Sequence, residues 1–190
     1  MATPYFQKPW IPFVYQDVTY SLSHLDEYSF AVTDTDGVER RIAVSFSDHC
    51  FTRKPLPADD ASLLYPDSDR NPGVFCFVRY GHSLHLTNHI GQASQGKVWN
   101  AGGYHEGFAI VPVVNQAGEK ILYAIIFSLD RAGKDMAVDL HMRIRSAYPC
   151  DHKPLATFGE VKFRTLVSLR MKNKRPARST ESQRRKPQIT

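Results

Sequence analysis

Residues 136–148 read Met-Ala-Val-Asp-Leu-His-Met-Arg-Ile-Arg-Ser-Ala-Tyr, so apolar and polar side chains alternate almost residue by residue. Alternation with a period of two indicates a β-strand with one face buried and the other in water. Short polar segments that contain glycine separate this run from its neighbours and have the length of hairpin loops. The pattern predicts a four-stranded antiparallel meander in the C-terminal half. Its other strands are expected in three runs rich in Ile, Val, Leu and aromatic residues: Phe108–Asn115, Lys120–Asp130 and Glu160–Met171.

The N-terminal half also contains hairpin signals. Two β-rich runs, Tyr28–Thr33 and Val38–Phe46, flank Asp34-Thr35-Asp36-Gly37, and Asp-Gly favours the tight turn of a hairpin. The segment Phe13–Leu25 consists mostly of β-forming residues and is a further predicted strand. Together these runs predict a small β-unit in residues 1–54.

The segment between the two halves predicts a loop and then a helix. Residues 55–73 hold four prolines and four aspartates, which is typical of an exposed loop. After a short strand, the spacing of apolar residues predicts a helix from about His82 to Ala93, packed on the sheet in a unit of residues 74–171. The predicted fold class is therefore α+β, with a single globular domain in residues 1–171.

The positive charge is concentrated at the C-terminus. The 190-residue chain has a net charge of +5, but residues 172–190 alone carry seven basic residues and one acid, Glu181. The net charge is thus +6 for this tail and −1 for residues 1–171. The tail has no apolar pattern with which to offset the entropy of ordering, so we expect it to be disordered.

Composition and missing motifs narrow the classes of function. There is no apolar run of membrane-spanning length and no signal-peptide pattern, and the three cysteines form no CxxC pair, so a cytoplasmic protein without a disulfide framework or membrane contact is predicted. The chain lacks a phosphate-binding P-loop, a dinucleotide-binding glycine motif and a nucleophile elbow. These absences disfavour NTP hydrolysis, dinucleotide redox chemistry and esterase chemistry.

Histidines form the first candidate site. His82, His85 and His89 share one face of the predicted helix because they are spaced i, i+3 and i+7. Such a face is either simply polar, or an acid–base site, or a metal site completed by a ligand such as His49 or His105. The spacing matches no zinc signature, so we predict neither a metal nor a cofactor. His49 is a separate acid–base candidate, and its neighbour Cys50 is predicted to be a buried apolar side chain.

Basic residues form the second candidate site. Arg79 followed by Tyr80 can clamp a phosphate and stack a base, although both can equally be ordinary surface residues. On the predicted strand, His141, Arg143 and Arg145 lie on one face. With Lys162 and Arg164 on the expected neighbouring strand they form a basic stripe that suits RNA phosphates, or merely the solvated face of a sheet. The tail adds further predicted nucleic-acid contacts at Lys172, Lys174, Arg175, Arg178, Arg184, Arg185 and Lys186.

The predicted third strand ends in Ser146-Ala147-Tyr148-Pro149, and a helix precedes the sheet. In these features residues 79–170 resemble the small metal-independent RNase toxins of the RelE, colicin D and barnase-like group, whose last strands often finish in a similar sequence. The resemblance implies RNA cleavage through the 2′-hydroxyl, with one of His49, His82 and His85 as acid or base. It also implies that Arg79 and Arg145 bind the phosphate, and that Tyr148 stacks a base or donates a hydrogen bond.

Three functions follow as hypotheses. The first is an RNA-directed, ribonuclease-type toxin of bacterial or phage type, whose partners are RNA and a protein such as an antitoxin. The second is a non-enzymatic nucleic-acid-binding or adaptor protein that attaches through its basic tail. The third is a protein-interaction module or inhibitor that uses an exposed sheet edge.

Overall fold

The structure is a computed structural model that describes residues 7–66, 72–100, 106–114, 118–150 and 159–176. Of the sequence candidates, His105 and four tail residues lie outside the described residues: Arg178, Arg184, Arg185 and Lys186. Among the described residues, no helix has the length and apolar character needed to span a membrane.

The described chain contains eleven strands and three α-helices. In the N-terminal half these are β1 Phe13–Tyr15, β2 Val18–Tyr20, β3 Tyr28–Thr33, β4 Glu39–Phe46, β5 Thr52–Arg53, β6 Val74–Phe75 and α1 Phe77–Ser83. In the C-terminal half they are α2 Leu86–Gln95, β7 Lys97–Asn100, β8 Glu106–Val114, β9 Lys120–Arg131, β10 Leu140–Pro149, β11 Glu160–Lys162 and α3 Phe163–Met171. Short 3₁₀ turns lie at Ser23–Leu25, Asp48–Cys50 and Ala61–Leu63.

A mixed sheet of seven strands organises these elements, in the order β11-β7-β8-β9-β10-β4-β3. Its neighbours are antiparallel except for β10 and β4, which run parallel from the pair Leu140–Ile42 to the pair Ile144–Phe46. The predicted α+β class is confirmed. The consecutive strands β8, β9 and β10 form the predicted antiparallel meander for three of its four members.

The fourth predicted strand, Glu160–Met171, is wrong for most of its length. Only its first three residues are extended, and they pair with β7 rather than with β10. The rest is α3, and four of its five buried residues, Phe163, Leu166, Val167 and Arg170, are spaced i, i+3, i+4 and i+7. That spacing puts all four on one side of a helix and would split them between the two faces of a strand.

The predicted N-terminal β-unit is continuous with the main sheet. Gly37, with a φ of 78°, closes the β3–β4 hairpin at the Asp-Gly turn. The parallel pairing of β4 with β10 then joins this hairpin to the meander. The pairs β1–β2 and β5–β6 remain outside the large sheet as two-stranded ribbons.

The single predicted helix from His82 to Ala93 is two helices, α1 and α2, with a break at Leu84 and His85. The hydroxyl of Ser83 donates a hydrogen bond to the Tyr80 carbonyl, at 2.8 Å. Hydrogen bonds from a serine side chain to a nearby backbone carbonyl compete with the helical ladder. The break therefore falls directly after Ser83, whose hydroxyl gives a backbone carbonyl of the helix another hydrogen-bond donor.

The sheet curls around α2 and α3, so that its two edges approach each other. Phe163, at the start of α3, places its ring 6.4 Å from that of Phe30 on β3 and 6.2 Å from that of Phe127 on β9. Farther along α3, the Ser168 hydroxyl donates to Asp36 in the β3–β4 turn, at 2.9 Å. Helix α3 thus connects the middle of the sheet to its β3 edge.

Beneath the two ribbons the hydrophobic core continues as an aromatic region, which we call the aromatic core. Phe13 and Phe75 stack at a centroid distance of 4.2 Å, and Phe51 meets Tyr65 edge to face at 4.9 Å. Aromatic pairs in these geometries add to the free energy gained by burial. This core fixes α1 against the ribbons and so sets the position of its polar side chains.

Candidate functional site

Arg79 on α1 is held by backbone acceptors. Its Nη1 donates to the carbonyl oxygens of His49 and Thr52, each at 2.9 Å. Its guanidinium carbon lies 5.6 Å from the centre of the Tyr148 ring, at the end of β10. Among the described residues, Nε and Nη2 of Arg79 make no hydrogen bond. Three N–H donors therefore remain for an anion, because Nη1 alone serves the two carbonyls.

Tyr123 on β9 lies next to this arginine and was missed by the sequence analysis. Strand pairing places it opposite Pro149, the neighbour of Tyr148. Its ring centre is 5.4 Å from that of His82 and 5.6 Å from that of His89. We call Arg79, His82, His89, Tyr123 and Tyr148 the Arg79 cluster.

The Tyr123 hydroxyl is an unusual feature of the cluster. The residue is 0% exposed, and the hydroxyl has no hydrogen-bond partner among the described residues. Burial raises the pKa of Tyr123, so the phenol stays neutral and can donate a hydrogen bond. A buried polar group without a partner costs free energy, which is why such groups call for a functional explanation.

The three predicted histidines separate into two environments. His82 and His89 both pack on Tyr123, whereas His85 is exposed and its ring centre lies 6.3 Å from that of His89. Burial, followed by the proximity of His85 and His82, lowers the pKa of His89. The neutral imidazole is therefore the favoured form at this position. Within the described residues no three His, Cys, Asp or Glu side chains are grouped so that they could hold a metal ion.

His49 approaches the cluster through its backbone. It lies in the 3₁₀ turn Asp48–Cys50, with its carbonyl bound to Arg79 and its side chain 63% exposed. Its imidazole is therefore accessible from solvent. Cys50 is fully buried, and burial raises the pKa of its thiol to about 12, so it is not a thiolate nucleophile.

Arg145 lies at a β-bulge on β10. The register with β9 shifts between Ile144 and Ser146, which makes Arg145 the extra residue of the bulge, and His141, Arg143 and Arg145 still alternate with the buried Met142 and Ile144. Ser47, two residues before His49, donates its hydroxyl to the Arg145 carbonyl at 2.6 Å. Bulges redirect side chains beside functional sites. Here the bulge puts an exposed arginine next to the segment that carries His49.

Two other predicted positions need correction. Tyr80 packs inside the aromatic core, 5.4 Å from both Tyr20 and Phe75, so its ring is not a free platform for a base. His141 is half-buried and bound to the Ser45 hydroxyl at 2.6 Å. Burial, then the charge of Arg143, lowers the pKa of His141 to about 4.

The predicted basic stripe across β10 and a neighbouring strand does not form. Lys162 ends β11 and Arg164 lies in α3, and three strands (β7, β8 and β9) separate β11 from β10. Instead these two residues and Lys97 line a groove of about 610 Å³, together with residues 31–33 on β3. We call this the basic groove. Beyond it, Lys172 pairs with Asp36 at 2.7 Å, while Lys174 and Arg175 are exposed.

The fold is an α+β domain with a curled mixed sheet, and its candidate site is a cluster of arginine, histidine and tyrosine. The sequence model of the YjaZ family matches residues 12–171, so the chain belongs to the YjaZ family. The match spans every strand and helix from β1 to α3. No curated protein and no solved structure matches the chain.

Proposed function

We propose that the Arg79 cluster is a ribonuclease-type site that cleaves RNA through its 2′-hydroxyl. The observation that carries the proposal is the convergence of Arg79, His82 and Tyr148, which come from α1 and from the far end of β10. The resemblance to RelE, colicin D and barnase-like toxins implied roles for these three residues. That resemblance stays a prediction, since the family match makes no link to those toxins.

Arg79 suits the phosphate. A guanidinium binds phosphate through parallel N–H donors, and Nε and Nη2 of Arg79 remain available in a fixed orientation. Because two carbonyls already position the Arg79 guanidinium, this group loses little further freedom when an anion binds. Hydrogen-bond donors that are positioned before the reaction stabilise the charge that develops on the phosphorane. Exposed Arg145 at the bulge would add a second cation.

The proton transfers belong to histidines on either side of Arg79. His82, packed on Tyr123, would take the proton of the 2′-hydroxyl, which then attacks the adjacent phosphorus. Exposed His49 would donate a proton to the 5′-oxygen as the P–O bond breaks, leaving a 2′,3′-cyclic phosphate. Tyr148 lies below the guanidinium with its ring partly exposed, where a base can stack.

Purified full-length protein incubated with a single-stranded RNA in EDTA tests the proposal. We expect a product that ends in a 2′,3′-cyclic phosphate, and no cleavage at a position where the 2′-hydroxyl is replaced by hydrogen. His82→Gln should lower the rate by about 10²-fold or more, because general acid–base catalysis contributes about 10²–10⁴-fold. His141→Gln is the matched control, since it alters a half-buried histidine away from the cluster. Cleavage of the 2′-deoxy substrate, or equal rates for the two variants, would overturn the proposal.

The toxin component of the proposal has its own test. Tightly induced expression of the intact chain should arrest bacterial growth, and Arg79→Ala or His82→Ala should relieve the arrest. If cells that express each of the three chains grow normally, the protein would be an RNA-cleaving enzyme that is not toxic. Growth arrest that both variants retain would place the toxic activity outside the Arg79 cluster.

A further inference from the structure

The basic groove lies where the two edges of the curled sheet meet. Residues 31–33 of the edge strand β3 line one side. The segment 94–97, Lys162 at the end of β11 and Arg164 in α3 line the other. None of these residues belongs to the Arg79 cluster, and the chemistry proposed for that cluster involves none of them.

The β3 side of the groove offers unpaired backbone groups. The Asp34 N–H donates to the Val38 carbonyl at 2.9 Å and the Asp34 carbonyl accepts from the Gly37 N–H at 3.2 Å, so the backbone groups of Asp34 point towards β4 and its turn. This direction alternates along an antiparallel ladder, so Val32 bonds to β4, while the N–H and C=O of Ala31 and Thr33 point away from it. In the described part of the chain β3 pairs with no strand but β4. Two donor–acceptor sets, two residues apart, therefore face the groove.

The opposite side of the groove offers positive charge. Within the described residues neither Lys162 nor Arg164 forms an ion pair or a hydrogen bond through its side chain. Lys97 pairs with Glu160 at 2.6 Å, and both side chains are about half exposed. Among the described residues that line the groove there is no acidic residue and no aromatic ring.

These features distinguish between two kinds of anionic partner. Single-stranded nucleic acids bind to sites that combine basic residues with aromatic rings for base stacking, and the described lining of this groove has no such ring. An extended peptide matches an open strand edge, since its own N–H and C=O groups alternate with the same two-residue period. Its alternate side chains would then face Lys162 and Arg164.

We propose that the basic groove binds an extended acidic segment of a partner protein, which adds to β3 as a further strand and places carboxylates against Lys162 and Arg164. The strand pairing gives orientation and affinity, and the cations select acidic side chains. The occupant would fill the gap between the β3 and β11 edges of the sheet.

Fluorescence anisotropy with the full chain tests the proposal. The probe is a labelled peptide of about eight residues in which Glu and Val alternate. One competitor has Gln in place of Glu, a second carries N-methyl groups on alternate amides, and a third is a single-stranded RNA of similar charge. We expect binding of the probe to be displaced by the unlabelled probe and not by the Gln peptide or the N-methylated peptide. Displacement by the N-methylated peptide would overturn strand addition, and stronger displacement by RNA would make the groove a nucleic-acid site.

Protein variants separate the two parts of the recognition. Lys162→Glu with Arg164→Glu should weaken the probe about tenfold, from the loss of two partly exposed charge pairs. Lys134→Glu, in the exposed loop after β9, is the matched control and should leave binding unchanged apart from the small effect of net charge. Ala31→Pro removes one outward N–H from an edge strand, where proline is tolerated. It should abolish binding while thermal unfolding confirms the fold, and unchanged binding in this folded variant would overturn the proposal.

Discussion

The Arg79 cluster and the basic groove both present positive charge, but in opposite ways. Two carbonyls hold Arg79 in place, and the rings of Tyr123 and Tyr148 lie beside it. Lys162 and Arg164, by contrast, are exposed and unanchored beside a bare strand edge. A fixed cation in a partly dry setting interacts strongly with a charge at one defined position, while exposed cations are screened by water and salt.

The difference teaches what each region can do. Reactions need donors whose positions are set before the substrate arrives, because reorganising them during the reaction costs free energy. Docking needs an accessible surface on which many small contacts add up along an extended partner. The cluster satisfies the first condition and the groove the second, so changes to one should leave the activity of the other intact.

Phe163→Ala should have the largest effect and is the strongest test of this independence. Phe163 is buried against Phe30 and Phe127, and truncating a core phenylalanine typically costs about 3–5 kcal/mol of unfolding free energy. Because Phe163 joins α3 to β3, the groove should lose peptide binding at temperatures where the remaining protein is folded. Chemical denaturation, peptide binding and RNA cleavage would be measured side by side. Phe163→Leu, which removes less volume, is the control. Parallel loss of peptide binding and RNA cleavage would show that the two regions are coupled.

Acid should lower the stability of the protein through its half-buried histidines. The pKa of His141 is lowered from 6.5 to about 4 by burial, so the unfolded chain binds more protons than the folded chain between these values. The stability contributed by His141 is therefore fully present above about pH 6.5 and is lost as the pH drops towards 4. The shift corresponds to about 3 kcal/mol, which solvent screening of the partly exposed side chain reduces to on the order of 2 kcal/mol. His89 and His24, whose pKa values burial also lowers, act in the same direction.

Urea denaturation at a series of pH values measures this loss of stability. His141→Gln, which can keep a hydrogen bond to Ser45, should flatten the profile between pH 6.5 and 4. Above pH 5 the folded fraction should still bind the acidic peptide, because the glutamates of the free peptide stay ionised there. An identical pH profile for the variant would show that His141 is protonated equally in both states.

Local patterns explain which parts of the fold were predictable. The strands β8, β9 and β10 follow from alternation and short loops, and the β3–β4 hairpin follows from Asp36-Gly37. The parallel pairing of β10 with β4 joins residues almost a hundred positions apart, and no local signal encodes it. The spacing of the buried residues encodes the helix at 163–171. The strand residues before the helix and its high content of apolar residues concealed this spacing.

The candidate site was predictable where chemistry was visible in residue type. Arg79, His82 and Tyr148 were identified because arginine, histidine and a strand-ending tyrosine have recognisable roles. Tyr123 lies within an apolar strand, where a tyrosine is usually a core residue, so its missing hydrogen bond could be seen only in three dimensions. Lys97 lies in the groove because β7 pairs with β11, and this pairing is also a long-range contact.

Tyr123→Phe should separate stability from activity within the cluster. Removing a buried hydroxyl that has no partner should raise the unfolding free energy by about 1 kcal/mol. The rate of RNA cleavage should fall about tenfold, because the cluster loses a buried donor that no described protein group uses. Tyr65→Phe is the matched control: the Tyr65 hydroxyl donates to the Ile11 carbonyl at 2.8 Å, so its removal should lower stability by about 1 kcal/mol. A loss of stability in Tyr123→Phe would show that its hydroxyl is already satisfied in the folded protein.

Glu160→Gln should produce the smallest change, and it sharpens the comparison from the side of the groove. The Lys97–Glu160 pair is exposed, and such pairs contribute about 0–1 kcal/mol, so the thermal unfolding temperature should hardly move. Releasing Lys97 should nevertheless strengthen binding of the acidic peptide a few-fold at low salt, and the gain should vanish at high salt as screening increases. Asp135→Asn, in the exposed loop before β10, makes the same change in net charge at a distance from the groove. Because the cluster shares no residue with this pair, RNA cleavage by Glu160→Gln should equal that of the unmodified chain. An equal gain in peptide affinity for Asp135→Asn would instead attribute the attraction to the charge of the whole protein and not to the position of Lys97.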